Sequence, residues 1–268
     1  MKRALSVAGA VGALLLVAAA AQPTAASPVA APDGKLVLTV KEGANWLHSF
    51  RVALVVKVTA RPQMAFWLED TDGKFVATVY VTHKAATEDW QTFPGASKYG
   101  TSREAALPVW SYKHREIGIM PMATCAACHA KRKATDRSTA NTPMLDAITS
   151  ATPETGFTRE WTVPESIMPG TYVLRAEINH ARDWNETYRA DAREVDSGWS
   201  GGDAVGSGQP SLVWQGTIQI GGAASEAALK PVGHGHSSGA TGDVIPDLKT
   251  LTTAMHIVEA VQVKYVPW

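Results

Sequence analysis

The stretch Thr124-Cys125-Ala126-Ala127-Cys128-His129-Ala130 holds the only two cysteines of the chain, with a histidine directly after the second. The spacing C-x-x-C-H is the attachment signature of a c-type haem. Two thiols add to the two haem vinyl groups as thioethers, and a two-residue spacer sets them at the required separation. The histidine that follows is held under the porphyrin face, where its imidazole ligates the iron. Cys125 and Cys128 are therefore the expected covalent anchors of one haem c, and His129 its proximal axial ligand.

Other chemistry fits the same residues less well. Cys125 and Cys128 could form a redox disulfide, but no βαβ pattern precedes them. With His129 they could supply part of a zinc site, but no second Cys pair or His-x-x-x-His stands at a suitable spacing. A chance match in a surface loop is the remaining reading.

An iron that only moves electrons needs a second strong axial donor. His114 lies eleven residues before Cys125, a reach that spans well over a haem at ~3.3 Å per extended residue. It is the expected sixth ligand, with Met144 and Met120 behind it; Met122 is too near Cys125 to come round without strain. The bland reading of His114 is a surface side chain in the basic run Lys113-His114-Arg115. Lys131-Arg132-Lys133 reads first as a solvated face and second as a partner-docking or propionate-facing patch.

Haem attachment of this kind takes place outside the cytoplasm, and the N-terminus agrees. Lys2 and Arg3 precede the apolar run Ala4 to Ala21, and Thr24-Ala25-Ala26 supplies small residues for cleavage. Residues 1–26 are expected to be a signal peptide, and 27–268 a single periplasmic domain without a membrane span in its mature form. A disulfide would be permitted in that compartment too. The 25 basic and 25 acidic residues balance, which gives no electrostatic case for nucleic acid.

The elements that must position the motif read as strands. Lys35–Val40, Phe50–Thr59, Phe157–Val163, Thr171–Ile178, Leu212–Ile220 and Val261–Val266 are rich in β-branched and aromatic residues, several with period-2 alternation. Met64–Glu69 and Lys74–Thr82 flank the turn Asp70-Thr71-Asp72-Gly73 as a hairpin. Leu107–Tyr112 reads as a short strand or edge confined by Pro108, and Thr250–Glu259 as a short helix. Residues 179–207 form a long loop whose Asp183, Glu186 and Asp191 suit a structural or calcium-binding role as well as a catalytic one. Residues 221–247 are poor in apolar side chains, and their His234 and His236 read as solvated more readily than as a metal pair. The fold class that follows is all-β: an antiparallel sandwich with long loops, into which residues 113–145 bring the haem motif as an insertion.

Several motifs, in order, resemble a family of exported proteins defined only as a domain of unknown function. They are Phe66-Trp67-Leu68-Glu69-Asp70 with Asp72-Gly73-Lys74, then Leu107-Pro108-Val109-Trp110, then Asp146 to Pro153. Pro169 to Leu174, Glu177-Ile178-Asn179 and Asp183-Trp184-Asn185-Glu186 complete the series. The resemblance covers most of the chain after residue 26 and implies an immunoglobulin-like sandwich associated with exported redox and flavin-linked systems. The haem signature is not a feature of that family and rests on Cys125, Cys128 and His129 alone.

Together these expectations describe a periplasmic mono-haem electron-transfer protein, a carrier or a subunit of a redox complex. Its partner would be another periplasmic redox protein, flavin- or haem-containing. The alternative is a non-catalytic binding or accessory module whose cysteines form a disulfide or metal site. Neither G-x-S-x-G nor H-E-x-x-H occurs, so the chain reads as a transfer or accessory protein rather than an enzyme.

Overall fold

The structure is a computed structural model that describes residues 33–53, 56–87, 105–115, 148–150, 152–201 and 206–268. The expected leader at 1–26 lies outside the described residues, as do Cys125, Cys128, His129, Met120 and Met144. His114 lies within them.

Two sheets pack face to face. The first has the order β10-β12-β1-β7, from strands β1 (Gly34–Glu42), β7 (Phe157–Thr162), β10 (Ser225–Ala228) and β12 (Val258–Pro267). All its pairings are antiparallel, with Leu38 opposite Val263 on one side of β1 and opposite Arg159 on the other. Its strands alternate as a sheet with one wet face should. Leu36, Leu38 and Val40 point inward from β1, and Val261, Val263 and Tyr265 from β12, while Glu259, Gln262 and Lys264 are exposed.

The second sheet has the order β11-β9-β8-β4-β5-β6. Its strands are β4 (Gln63–Glu69), β5 (Phe75–Thr82), β6 (Ile148–Ser150), β8 (Gly170–Asn179), β9 (Leu212–Ile220) and β11 (Lys230–His234). Five of them pair antiparallel; β6 joins β5 in parallel at the edge. The main core fills the space between the sheets with Phe66, Leu68, Val79, Leu174, Ile178, Trp214 and Ile218 from this side. A small separate ribbon, β2 (His48–Ala53) and β3 (Val56–Ala60), carries Ser49, Arg51, Lys57 and Thr59 at cross-strand positions.

The second sheet is covered on its outer face as well. Nearly every residue of β4 and β5 is buried, with no polar alternation, because a second apolar cluster lies outside the sandwich. Ala65, Trp67, Phe75, Val81 and Val213 from the sheet meet Ala85, Leu107, Val109 and Trp110 there. The covering elements are α1 (His83–Thr87) and α2 (Pro108–Arg115). Pairs of sheets with few helices make this a mostly β fold of sandwich type.

Four local expectations are corrected. Phe50–Thr59, expected as one strand, belongs to two strands, β2 and β3, that pair antiparallel with each other. Leu107–Tyr112 is not a strand: α2 begins at Pro108, which suits a first helical position because that N–H has no intrahelical partner. The first residues of the expected insertion, Lys113 to Arg115, are the last turn of this helix. The expected helix at 250–259 is a 3-10 turn, Thr253–His256, followed at once by β12.

Candidate functional site

The helix that leads into the C-x-x-C-H segment is fastened to the outer face of the second sheet by a row of polar side chains. Arg175, Glu177 and Asn179 alternate along β8, and so point to one face while Leu174, Ala176 and Ile178 point to the core. Asn179 Nδ2 donates to the carbonyls of Ala105 (3.0 Å) and Ala106 (2.9 Å) and to Ser207 Oγ. Glu177 accepts from the backbone N–H of Val109 at 3.1 Å and of Trp110 at 2.8 Å, and from Ser211 Oγ at 2.5 Å. It thereby satisfies two of the donors that every helix start leaves unpaired, with its negative end against the positive end of the helix dipole. Arg175 turns aside to Glu69, whose other oxygen accepts the Trp67 indole N–H.

Glu177 is fully buried and no cation stands among its bonded partners. Burial pushes its carboxyl up to about 7, against the three donors, which act to lower it. Gly235 closes over it: a Cβ there would stand 2.6 Å from both Pro108 Cγ and Ser211 Oγ. Further along α2, the Trp110 indole donates to Thr78 Oγ1 at 3.1 Å and Lys113 Nζ to the Gly73 carbonyl at 2.7 Å.

His114 closes the last turn of this helix. It is buried, 1 % exposed, where the basic run around it suggested a surface position. Its ring stacks on Trp110, centroids 5.3 Å apart, and meets Phe75 edge-on at 5.6 Å. Among the described residues, neither Nδ1 nor Nε2 has a hydrogen-bond partner. Burial holds its pKa down at about 4, so the imidazole is neutral at physiological pH and carries a lone pair.

Sequence reasoning chose His114 for its reach and missed the residues that place it. Glu177 and Asn179 were part of a resemblance motif without a role. The signal was present: polar residues at alternate positions in a strand whose other positions are apolar mark a face that bonds something.

The remaining candidates are not brought together here. His234 is buried, its Nδ1 2.6 Å from the Gly235 carbonyl, and His236 Nδ1 accepts from Ser238 Oγ at 2.8 Å. Each ring is thus engaged locally, and His234 is not the solvated side chain its Gly-rich setting suggested. In the 179–207 stretch, Asp183 accepts from Thr253 Oγ1 at 2.6 Å, while the exposed Asp191 and the half-buried Asp196 pair with Arg189 and Arg193. Among the described residues no three His, Cys, Asp or Glu side chains form a metal-holding group, and no helix is long and apolar enough to cross a membrane. No family profile matches the chain, and neither a curated protein nor a solved structure gives a match.

Proposed function

We propose that the chain is a periplasmic mono-haem c-type protein that acts in electron transfer, as a carrier or as a subunit of a redox complex. Cys125 and Cys128 hold the haem as thioethers, His129 is its proximal ligand and His114 is the sixth. The observation that carries the reading is the state of His114: a neutral imidazole, sealed between Trp110 and Phe75, with both nitrogens unpartnered among the described residues. An unpaired buried polar group costs ~1–3 kcal/mol, and coordination of one nitrogen removes part of that cost. A bound haem supplies a one-electron couple, and two imidazole ligands set it lower than an imidazole and a thioether would.

The chain's own residues prepare this site. Glu177 and Asn179 pin the start of α2 and the residues before it to a rigid sheet, which fixes where the helix ends and hence where His114 stands. Trp110 and Phe75 hold the ring and keep water from its nitrogens. That two of these fastenings, Glu177 and Asn179, belong to the motifs resembling the exported family supports placing the sandwich in that family's immunoglobulin-like class.

The test is expression with a c-type maturation system. One haem that survives acid-acetone extraction is expected, and the Cys125→Ala/Cys128→Ala pair should abolish the covalent bond. His114→Ala should open the iron to carbon monoxide and change its spin state. A sulfur-to-iron charge-transfer band that persists in His114→Ala would assign the sixth position to a methionine, Met144 or Met120. A colourless wild-type protein with two thiols or one cystine by mass would refute the haem and favour the accessory-module reading.

A further inference from the structure

The β2–β3 ribbon is a sheet of its own, apart from the two that pack together. Its strands alternate between two unlike faces. On the inner face His48, Phe50, Val58 and Ala60 are half-buried. There the His48 ring centroid lies 5.5 Å from that of His180, and the Arg182 guanidinium 5.4 Å from that of Phe50. Arg182 Nη1 also donates to the Arg51 carbonyl at 3.4 Å. On the outer face Leu47, Ser49, Arg51, Lys57 and Thr59 are exposed. Ser49 and Thr59 bond to each other across the strands at 2.9 Å. Arg51 stands directly opposite Lys57. Like charges at opposed positions destabilise a strand pair. Neither cation has a carboxylate partner among the described residues.

The local sequence sharpens the contrast. No acidic residue stands between Glu42 and Glu69, an interval that holds Arg51, Lys57 and Arg61, although the whole chain balances 25 basic against 25 acidic residues. Ala53 pairs with Val56, so two residues, Leu54 and Val55, join the strands. Hairpin connections of that length ordinarily use Gly, Asn or Asp. Val56 beside them is 46 % exposed, and Leu47 is 54 % exposed. A strand pair that holds like charges together and leaves apolar side chains in water breaks two local rules without a gain inside the fold. Such breaches concentrate at functional surfaces.

We propose that the outer face of the β2–β3 ribbon docks on the surface of a bilayer that carries anionic phospholipid. Arg51 and Lys57 meet headgroup phosphates, and Leu47 and Val56 enter the boundary between headgroups and acyl chains. Charge decides against a second copy of the chain, since two such faces would bring four cations together. Size decides against a folded acidic protein. Five steps of ~3.3 Å and a width of ~10 Å give a face of roughly 200 Å², against the ~800 Å² that each partner contributes to a stable protein interface. A lipid surface makes no such demand, because it is continuous and supplies phosphates wherever the cations fall.

The inference does not depend on the haem. The test is co-sedimentation of the mature chain, from Ser27, with vesicles of phosphatidylglycerol and phosphatidylcholine or of phosphatidylcholine alone. Binding is expected to the first kind only, and should weaken as salt is added. At about fivefold per cation near an anionic surface, Arg51→Gln with Lys57→Gln should weaken it roughly 25-fold. Leu47→Ser with Val56→Ser should weaken it too. Lys230→Gln with Lys264→Gln removes the same charge from exposed positions outside the ribbon and should leave it unchanged. Arg51 and Lys57 are exposed, so their variant should stay folded, and circular dichroism checks this. No binding to the anionic vesicles, equal binding to both kinds, undiminished binding by the folded Arg51/Lys57 variant, or equal loss in the Lys230/Lys264 variant would each overturn the assignment. So would displacement by inorganic phosphate at constant ionic strength, which would mark a site for the free ion. Binding to polyglutamate and not to vesicles would overturn it in favour of an acidic polypeptide.

Discussion

Replacing Glu177 by glutamine isolates the ionisation of a carboxyl that has no cation to offset it. The side chain keeps its length, loses its ability to ionise and exchanges one accepting oxygen for a donating NH2. In the folded protein its pKa is about 7, against an ordinary 4.5. At 1.36 kcal/mol per pH unit, that displacement is worth roughly 3 kcal/mol. The folded state keeps the proton over a range in which the unfolded chain has already shed it, so this contribution favours folding at low pH. It is fully present below about pH 4.5, falls as the pH rises, and is lost once the pH passes through about 7. His114 and His180, both held near 4, act in the opposite sense: their stability is present above the ordinary histidine value and disappears as the pH falls toward 4. Comparison of the wild-type and Glu177→Gln profiles cancels the histidines. Urea midpoints measured from about pH 5 to 8.5 should show the wild type losing roughly 2–3 kcal/mol relative to the variant across that range. The variant starts lower: with its amide oxygen in the place of Oε1, which serves Val109 and Ser211, its amide nitrogen cannot accept from the Trp110 N–H as Oε2 does, at ~1–3 kcal/mol for a donor left unpaired. A difference curve that is flat, or that rises with pH, would refute the account of Glu177 as a carboxyl destabilised by burial.

Further outcomes follow from the same face of the sheet. His114→Phe, measured without haem, should raise stability by roughly 1–2 kcal/mol in chemical denaturation, since it fills the slot between Trp110 and Phe75 and removes two unpaired buried nitrogens. It should also abolish the loss of stability between about pH 6.5 and 4 that the wild-type imidazole contributes. Asn179→Ala should cost ~1–3 kcal/mol by leaving the Ala106 carbonyl without its donor and the Ala105 carbonyl with Ser207 Oγ only, and should speed amide exchange in α2 before exchange in β8. N-terminal sequencing of exported protein should begin near Ser27, and an intact Met1 form in the membrane fraction would overturn the leader reading.

What the sequence discloses depends on how many faces of a strand are wet. Strands β1, β7 and β12 were plain because one side is solvated and alternation survives. Strands β10 and β11 were missed because each lies at a sheet edge and is short, with a sequence too small or polar to register as apolar: Ser225-Glu226-Ala227-Ala228 and Lys230-Pro231-Val232-Gly233-His234. Pro231 and the register shift beside it fit an edge and would have argued against an inner strand. The helix at 108–115 was misread because Pro108 and Val109 look extended in isolation. What makes the helix is the carboxylate of Glu177, which arrives from a strand about seventy residues later and which no local pattern announces. The candidate sixth ligand was legible as a type at a spacing; its burial was not, since Lys113 and Arg115 beside it are charged and α2 turns only one side to Trp67 and Phe75.

Helix α2 packs on β5, and β6 pairs with the same strand, so the described residues on either side of 116–147 meet one strand of one sheet. Framework residues hold both ends: Glu177, Asn179 and Thr78 at the first, Tyr80 to Thr82 at the second. A receptacle of this kind is interchangeable in what it carries. Between two ends held in this way, doubling or halving the length of the intervening chain changes the closure cost by only ~0.6 kcal/mol. In evolutionary terms the sandwich is a socket, in which the redox function proposed above could be gained or lost by a single insertion event.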